Sequence, residues 1–284
     1  MAIERQEILR RLRRNIERGI PIIGTGAGTG ISAKCEELGG TDLIIVYNSG
    51  RFRMAGIGST AGCLPLGDAN TIMMELGREV IPVVKDTPVI AGVFGNDPFR
   101  NMKNFLQEVK YAGFSGIQNY PTIANYDGNM RREFEQTGFK FDNEVEMVRI
   151  AREMDLLTTP YAWQVEEAEK MARAGADVIV AHCGCTTGGT TGMEWAPPLE
   201  DAAGFVQEVC DAAKAINPEV IVMCHGGPIS SPEDAEFILQ HTRGVAGFYG
   251  ASSAERLPVE QAIPEQIRRF KAIKYEQKII ELQE

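Results

Sequence analysis

The chain lacks the positive charge that nucleic-acid-binding and membrane-surface proteins carry. Its 29 Lys and Arg residues are outnumbered by 39 Asp and Glu residues, so the formal net charge at pH 7 is -10. An acidic protein of this kind repels the phosphates of nucleic acid and of anionic lipid. We therefore expect no nucleic acid and no membrane among its partners.

Long apolar runs are also missing. No run reaches the ~18 residues that a membrane-spanning helix requires, and residues 1–19 mix Glu with Arg where a signal peptide would be apolar. The six cysteines are scattered through 284 residues, which favours reduced thiols over a disulfide framework. We expect a cytoplasmic protein.

What the sequence contains instead is a regular alternation of short apolar runs and amphipathic helices. Eight runs have the length and character of strands buried on both faces. They lie at 21–24, 43–47, 89–94, 116–119, 157–161, 178–182, 220–224 and 245–249. Unbroken βα alternation over this length predicts an α/β fold, a single (β/α)8 TIM barrel that forms one domain over residues 1–284.

Three features extend this predicted barrel. Residues 1–19 carry apolar side chains at helical spacing, and we expect a lead-in helix that covers the bottom of the barrel. Long loops after strands 2, 4 and 6, at 49–69, 120–141 and 183–198, should fold over the rim where the strands end. The last helix, residues 264–284, is longer than a barrel needs, so we expect it to join subunits of a homo-oligomer.

Glycine-rich turns follow the first, seventh and eighth predicted strands. A (β/α)8 barrel uses the backbone N–H groups of its last two such turns to bind phosphate, and the glycine spacing at 24–30 does not match a dinucleotide fingerprint. We expect one anion-binding cradle, made of Gly26, Gly226, Gly227, Gly250, Ala251, Ser252 and Ser253. The other interpretation is that the glycines only permit tight turns.

Polar residues end several of the other predicted strands at the same rim. Buried strands seldom tolerate such groups unless a partner satisfies them, so their recurrence predicts a pocket for a small polar ligand. The expected ligand-binding residues are Asn48, Arg51, Asp97, Gln118, Asn119 and Tyr161. Either Arg51 or Arg256 would provide positive charge for an anionic ligand.

Two of the three histidines lie at the ends of neighbouring predicted strands, in HCGC at 182–185 and CH at 224–225. Histidine is suited to general acid–base catalysis. We expect His182 and His225 to be catalytic, with Glu194 of the following loop as an acid. Two alternatives stay open, namely a zinc site made of Cys and His and a pair of structural histidines among space-filling thiols. No lysine ends a predicted strand, which disfavours a Schiff-base aldolase.

Several motifs resemble one known family over nearly the whole chain. They are GTGAGTGISAKCEELGGTDLIIVYNSGRFRMAGIGSTAG at 24–62, FGNDP at 94–98, GIQNYPT at 116–122, AHCGCTTGG at 181–189, CHGGP at 224–228 and GFYGASSAERLP at 247–258. Together they resemble the phosphoenolpyruvate hydrolase-like family, also labelled a TIM-barrel signal-transduction family, to which the C-terminal domain of a plant tobamovirus-resistance protein is similar. The resemblance implies a TIM barrel, an oligomer and the hydrolysis of a phosphorylated three-carbon enol acid.

The leading hypothesis is an enzyme, a hydrolase or lyase, that acts on a small anionic and phosphorylated or carboxylate metabolite by histidine acid–base chemistry. The acidic pattern of a magnesium site, which the phosphoenolpyruvate mutase and isocitrate lyase group would imply, is not evident at the strand ends. We therefore expect no cofactor, with a divalent metal as the alternative. The rival hypothesis is a ligand-binding or regulatory barrel without turnover.

Overall fold

The fold is built on a curled sheet of nine parallel strands with helices outside it, in a computed structural model that describes residues 2–275. The strands are β1 (Ile22–Gly26), β2 (Leu43–Val46), β3 (Val89–Val93), β4 (Gly116–Asn119), β5 (Leu157–Thr158), β6 (Tyr161–Ala162), β7 (Val178–His182), β8 (Ile221–His225) and β9 (Val245–Gly250). The helices are α1 (Arg5–Glu17), α2 (Gly30–Leu38), α3 (Asn48–Met54), α4 (Ala69–Val80), α5 (Met102–Tyr111), α6 (Gly128–Gln136), α7 (Phe141–Glu153), α8 (Val165–Arg173), α9 (Leu199–Ile216), α10 (Pro232–Gln240) and α11 (Arg256–Lys271).

The strand order is β5-β4-β3-β2-β1-β9-β8-β7-β6, so the two edge strands of the sheet are consecutive in the chain. Only Thr159 and Pro160 separate them. The Thr159 amide donates to the Ile117 carbonyl beside β5, and the Pro160 carbonyl accepts from the Val180 amide beside β6. The two ends of the curled sheet therefore meet at this dipeptide.

The α/β class and the parallel sheet predicted from the sequence are confirmed. Seven of the predicted strands match β1 to β4 and β7 to β9 to within two residues at each end. The fifth, predicted at 157–161, is divided into β5 and β6. Pro160 explains the interruption, because proline has no N–H to donate to a neighbouring strand.

Apolar side chains fill both faces of the sheet. Alternate residues of β2 show this well, since Leu43 and Ile45 belong to the cluster inside the curl while Ile44 and Val46 belong to the cluster beneath the helices. Helix α1 contributes Ile8, Leu9 and Leu12 to the inner cluster. It reaches the end where the strands begin, because Arg5 forms a buried ion pair with Asp177, directly before β7.

The predicted long loops after β2 and β4 contain ordered structure. Residues 49–69 include α3 and a 3-10 turn at Ser59–Cys63, and residues 120–141 include a 3-10 turn at Ile123–Asn125 and α6. Residues 183–198, after β7, contain no helix or named strand. All three excursions leave from the carboxyl ends of strands, so that end of the sheet holds the candidate site.

Helix α11 differs from the predicted C-terminal helix. It spans Arg256–Lys271 and so begins earlier than the predicted start at residue 264; the predicted residues 276–284 lie outside the described residues. From residue 261 onward its side chains are exposed. Among the described residues, no helix combines the length and the apolar character that crossing a membrane requires.

Candidate functional site

A small pocket opens at the carboxyl ends of the strands. Its volume is about 90 Å³, which is small beside the ~300–1,000 Å³ of sites that hold drug-sized ligands. Among residues 2–275, no Asp, Glu, Lys or Arg lines it. Its lining residues are Tyr47, Ser49, Ser59, Thr60, Tyr120, Tyr161, His182, Cys185, Thr186, Thr191, Gly192, Met193, His225, Ala251 and Ser252. The pocket thus brings together five residues predicted from the sequence: Tyr161, His182, His225, Ala251 and Ser252.

The two histidines lie side by side because their strands are neighbours in register. His182 ends β7 and His225 ends β8, and the two are direct partners in the parallel ladder. Their ring centroids are 4.5 Å apart. Each residue is only 6% exposed, with the remaining surface facing the pocket. The adjacency predicted from the sequence is therefore present.

Backbone hydrogen bonds give the two imidazoles opposite tautomers. In His225, Nδ1 lies 2.5 Å from the Tyr249 carbonyl oxygen, which can only accept, so Nδ1 carries the hydrogen and Nε2 keeps a lone pair. In His182, Nδ1 accepts from the Gly184 amide at 3.0 Å, so the neutral ring carries its hydrogen on Nε2. One ring can accept a proton at Nε2 and the other can donate one.

Burial keeps both rings neutral. It lowers the pKa of His225 from 6.5 to about 4, against the hydrogen bond to Tyr249 and with help from the positive charge of Arg53. Burial and the neighbouring His225 also lower the pKa of His182 well below its ordinary value. At neutral pH the pair therefore offers an uncharged base beside an uncharged acid.

Aromatic side chains fix the positions of both rings. Trp163, which follows β6, stacks on His182 with ring centroids 3.8 Å apart and an interplanar angle of 17°. Tyr161 contacts His182 edge-on at 4.8 Å and His225 at 4.9 Å. Imidazoles packed in this way have little freedom to rotate, which suits proton transfer at a defined point.

Hydroxyl groups from the loops after β2 and β4 line the opposite side of the pocket. Ser49 donates to the Ser59 carbonyl at 2.7 Å and contacts the Tyr120 hydroxyl at 3.1 Å. Ser59 lies 3.4 Å from the Ser252 hydroxyl, across from the turn after β9. These neutral donors and acceptors suit the oxygen atoms of a small ligand.

The predicted anion cradle is only partly available. The amide of Gly227 donates to the Gly184 carbonyl at 2.7 Å and is therefore not free for a ligand. A side chain at Gly226 or Gly227 would overlap the carbonyl oxygens of Gly184 or Cys183, and both glycines have positive φ. They serve mainly to pack the turn after β8 against the loop after β7. Of the predicted cradle, Ala251 and Ser252 reach the pocket, whereas Gly26, Gly226, Gly227, Gly250 and Ser253 do not line it.

Three of the polar residues predicted at strand ends bind other parts of the protein. Asn119 donates to the buried carboxylate of Glu144 at 2.8 Å and accepts from the Tyr161 amide at 2.7 Å. Gln118 donates to the Thr159 carbonyl, and Asn48 to the Gly62 carbonyl. Asn48 thus holds the loop after β2, and the other two side chains connect β4 to the segment of β5 and β6 and to α7; none of the three lines the pocket.

The remaining predicted residues lie away from the pocket. Asp97 pairs with Arg100 and accepts from Asn70 in a separate surface groove. Glu194 is exposed in the loop after β7 and does not line the pocket. Arg256 donates to the Gly188 carbonyl and pairs with Glu260, so its charge is directed into protein contacts.

A buried positive charge behind the pocket belongs to Arg53, which the sequence analysis did not name; the expected cations were Arg51 and Arg256. Arg51 is half-exposed and pairs with Glu75 on the surface. Two residues further along α3, Arg53 is 1% exposed, and its guanidinium carbon lies 5.6 Å from the ring centroid of Tyr47, a pocket residue. A helix predicted at these positions would have distinguished the two arginines, because residues two apart on a helix point in widely different directions.

Glu255, after β9, balances Arg53. Its Oε2 accepts from Arg53 Nε at 2.6 Å, and its Oε1 accepts from the Gly28 amide at 2.6 Å. Arg53 Nη2 donates to the Gly26 carbonyl at 2.9 Å, whereas Nη1 has no hydrogen-bond partner among the described residues. Burial, together with the charge of Glu255, raises the pKa of nearby Glu36 to about 7. A buried ionic network therefore lies directly behind the neutral pocket.

The side chains of the pocket do not fit a protein-held magnesium site. Mg²⁺ binds through carboxylates and ligand oxygens, and no carboxylate lines the pocket. Across residues 2–275, no group of three or more His, Cys, Asp or Glu side chains is arranged to hold a metal. The described residues therefore contain no Cys and His cluster for zinc either, and each of the six cysteines is a free thiol.

Comparison with known proteins identifies the family. The sequence model described as phosphoenolpyruvate hydrolase-like matches residues 7–273. A tomato (Solanum lycopersicum) protein named ToMV susceptible protein tm-1(GCR26) is 57% identical over 269 residues, which is 95% of this chain and 36% of that protein. The tomato ToMV resistance protein Tm-1(GCR237) is 56% identical over 273 residues, 96% of this chain and 36% of that protein. The chain thus spans about a third of the length of these relatives.

Solved structures share the fold at low sequence identity. A phosphoenolpyruvate phosphomutase from Streptomyces platensis subsp. rosaceus has a TM-score of 0.62 and 14% identity, covering 93% of this chain and 87% of that one. A phosphonopyruvate hydrolase in complex with oxalate and Mg²⁺ has a TM-score of 0.60 and 16% identity, covering 95% of this chain and 87% of that one. At these identities the likeness establishes the fold alone.

Proposed function

The chain belongs to the phosphoenolpyruvate hydrolase-like family, and we propose that it is an enzyme acting on a small anionic metabolite, carboxylate or phosphorylated, by acid–base chemistry at His182 and His225. The observation that carries the proposal is the pair of neutral imidazoles with opposite tautomers in one pocket. The structural neighbours support the substrate class, because their names include phosphonopyruvate hydrolase, phosphoenolpyruvate phosphomutase and oxaloacetate acetylhydrolase.

In the proposed mechanism His225 is the general base and His182 the general acid. Nε2 of His225 takes a proton from a substrate carbon, hydroxyl or bound water, and Nε2–H of His182 donates to the substrate oxygen on which charge develops. The hydroxyls of Ser49, Ser59 and Ser252 orient the substrate oxygens. Acid–base catalysis of this kind contributes roughly 10²–10⁴-fold in rate.

We infer that no side chain of the pocket holds a metal, on the ground of its donor set. One structural neighbour is a complex with oxalate and Mg²⁺, so the alternative is a magnesium ion carried in by a chelating substrate. Turnover measured with added Mg²⁺ and with EDTA decides between the two.

The experiment that tests the function uses matched histidine variants. Asparagine keeps the backbone-facing atom of each ring, since its amide can donate to the Tyr249 carbonyl in place of His225 and its oxygen can accept from Gly184 in place of His182. His182→Asn and His225→Asn should each lower kcat about 10²-fold or more. The exposed residue His241 supplies the control variant, His241→Asn, which should retain wild-type activity.

Substrate loss is followed by phosphorus and proton NMR with phosphonopyruvate, phosphoenolpyruvate, oxaloacetate and 2,3-dimethylmalate. Turnover by wild type that persists in both asparagine variants would refute the histidine mechanism. A non-catalytic ligand-binding or regulatory barrel is the second candidate, favoured by the absence of any charged side chain from the pocket lining. That candidate predicts saturable binding of one of these acids without turnover.

We also propose that the curled sheet is the (β/α)8 barrel expected from the sequence. The meeting of β5 and β6 at two residues supports it, because those segments then form one interrupted strand and the nine segments become eight strands. The reduced cysteines agree with a cytoplasmic location, which we retain as a proposal.

Self-association through α11 is a further part of the proposal. The helix exposes an apolar stripe that no described residue covers, made of Val259, Ile263, Ile267 and Phe270. Beside the start of this helix, an apolar groove lined by residues such as Ile23, Leu239 and Phe248 lies open between β1, β9 and α10. Contiguous exposed apolar side chains are typical of surfaces that bind another protein, and a second copy of this chain is the partner we propose.

A further inference from the structure

The pocket wall after β7 is a segment with few attachments to the sheet. We call residues 186–193 the wall segment; it contributes Thr186, Thr191, Gly192 and Met193 to the pocket lining. Its own structure is a single bridge between Thr187 and Met193. Among the described residues, one backbone hydrogen bond joins it to a neighbouring turn, from the Thr187 amide to the Gly227 carbonyl.

Two charged side chains at the start of α11 grip this segment from outside. Arg256 Nη2 donates to the Gly188 carbonyl at 3.0 Å, and its Nη1 pairs with Glu260 at 2.9 Å. Glu260 in turn accepts from both the amide and the hydroxyl of Thr190. These partners are separated by about seventy positions in the chain, so the contacts tie two distant elements together.

The burial of this pair distinguishes it from ordinary surface ion pairs. The side chains of Arg256 and Glu260 are 5% and 20% exposed, whereas those of Arg268 and Glu265, on the same helix, are 73% and 64% exposed. Burial alone would raise the pKa of Glu260, yet the hydrogen bonds from Thr190 and Arg256 hold that pKa below its ordinary value. Charge-assisted hydrogen bonds of this kind are roughly twice as strong as neutral ones.

Gly189 lets the segment approach this closely. A β-carbon at residue 189 would overlap the ends of Glu260 and Arg256 and come within 2.6 Å of Leu257. Its φ of +72° adds to the requirement for glycine.

Building on the function proposed above, we propose that Arg256 and Glu260 are positioning residues of the pocket, which hold the wall segment in place so that a small anionic ligand can be enclosed. The rest of α11 contacts little of its own chain, so the first turn of this helix joins a projecting helix to the pocket wall. Neither Arg256 nor Glu260 needs to contact the ligand in this role.

The test measures how accessible the pocket wall is, without the need for a substrate. Cys185 lines the pocket beside the wall segment, and burial raises the pKa of its thiol. Cys35, exposed on α2, is the internal reference. Iodoacetamide labelling of the native 284-residue chain is followed at both cysteines by mass spectrometry. Glu260→Gln should raise the labelling rate of Cys185 at least threefold and leave that of Cys35 unchanged.

Matched controls separate loosening of the wall from a general loss of stability. Glu265→Gln breaks an exposed ion pair on the same helix, and Gly138→Ala places a β-carbon at positive φ where nothing lies within 4 Å. Both should label like wild type, whereas Gly189→Ala should reproduce the effect of Glu260→Gln. Equal labelling of Cys185 in wild type, Glu260→Gln and Gly189→Ala, or an equal rise in the controls, would overturn the proposal.

Binding of oxalate, measured by calorimetry, supplies the functional readout. Glu260→Gln and Gly189→Ala should weaken oxalate binding at least fivefold, and with a turned-over substrate they should raise KM more than they lower kcat. If wild type shows no turnover but Cys185 labelling and oxalate affinity respond as expected, the positioning role stands and the catalytic proposal falls. If His182→Asn abolishes turnover while neither Glu260→Gln nor Gly189→Ala changes labelling or affinity, the catalytic proposal stands and the positioning role is refuted.

Discussion

The buried neutral state of His225 predicts a specific loss of stability in acid. Its pKa falls from 6.5 to about 4 on folding, mainly because burial opposes the charged ring. A group whose pKa is lowered in the folded state contributes its full stability above pH 6.5 and loses it as the pH falls toward 4. By proton linkage the loss amounts to roughly 2.5 kcal/mol between pH 7.5 and pH 4.5.

Two buried carboxyl groups act in the opposite direction. Burial raises the pKa of Glu144 and of Glu36 from 4.5 to about 7 in the folded protein, with the charge of Glu255 adding to the effect on Glu36. Their contributions are complete below pH 4.5 and are lost as the pH rises through 7. The pH dependence of wild type alone therefore mixes opposing terms, and only a difference between variants isolates His225.

The assay is urea unfolding of wild type and His225→Asn, followed by circular dichroism in buffers from pH 7.5 to pH 4.5. Wild type should be the more stable at pH 7.5, and its advantage should shrink by roughly 2.5 kcal/mol at pH 4.5, because the variant has no ring to protonate. His241→Asn is the control for replacing an exposed imidazole. A difference between wild type and His225→Asn that stays constant across this range would show that His225 is not held neutral by the fold.

Three further predictions concern packing and assembly. Arg53→Met leaves Glu255 buried without its partner and should lower the free energy of unfolding, measured in urea, by about 3–5 kcal/mol. Arg51→Met on the surface is the control and should change that free energy by less than about 1 kcal/mol. Equal effects of the two substitutions would contradict the buried network. The carboxyl group of Glu144 accepts hydrogen bonds from Asn96, Asn119, Thr122 and the Ile123 amide. Glu144→Gln places an NH₂ group among these donors, so the free energy of unfolding, measured by heat and by urea, should fall by about 1–3 kcal/mol. A variant as stable as wild type would contradict this. Ile267→Glu puts a charge in the exposed stripe of α11 and should convert an oligomer to a monomer in light scattering coupled to size-exclusion chromatography, while an unchanged mass would exclude the stripe as the interface.

The arrangement of strands could be predicted because the spacing of apolar residues and the positions of glycine and proline indicate the same element boundaries along the chain. Buried β-rich runs and helix-closing glycines placed seven strands to within two residues, and the neighbouring ends of β7 and β8 placed His182 beside His225. The interruption at Pro160 was visible in principle, since proline cannot donate to a ladder. The prediction nevertheless ran through Pro160, because the residues around it are typical of a buried strand.

The site was harder to predict because residue types alone do not determine the hydrogen-bond partners of loop amides or which face of a short helix is buried. The amide of Gly227 was expected to face a ligand, but the Gly184 carbonyl from a loop forty residues away in the chain accepts from it. Arg51 and Arg256 were the expected cations and Arg53 was not named, because residues 49–69 were predicted to form a loop, whereas α3 begins at Asn48 and buries Arg53. Both errors concern which groups are already used by the protein, and that depends on tertiary contacts.

The neutrality of the pocket leads to a final prediction about how an anion would bind there. In the described part of the chain no charged side chain lines the pocket, and the charge of Arg53 is balanced by Glu255. An incoming dianion such as oxalate would therefore raise the pKa of the adjacent imidazoles, because a nearby negative charge favours the protonated ring. Binding at pH 7 should then be accompanied by proton uptake of up to about one equivalent, and affinity should increase as the pH falls from 8 to 6. Calorimetry in PIPES and in Tris measures this directly, because the two buffers differ in ionisation enthalpy and the apparent binding enthalpy must differ in proportion to the protons taken up. The same titration of His225→Asn should show a smaller buffer dependence. Identical enthalpies in both buffers for wild type would mean that the imidazoles do not respond to the ligand, and the acid–base role of the pair would have to be abandoned.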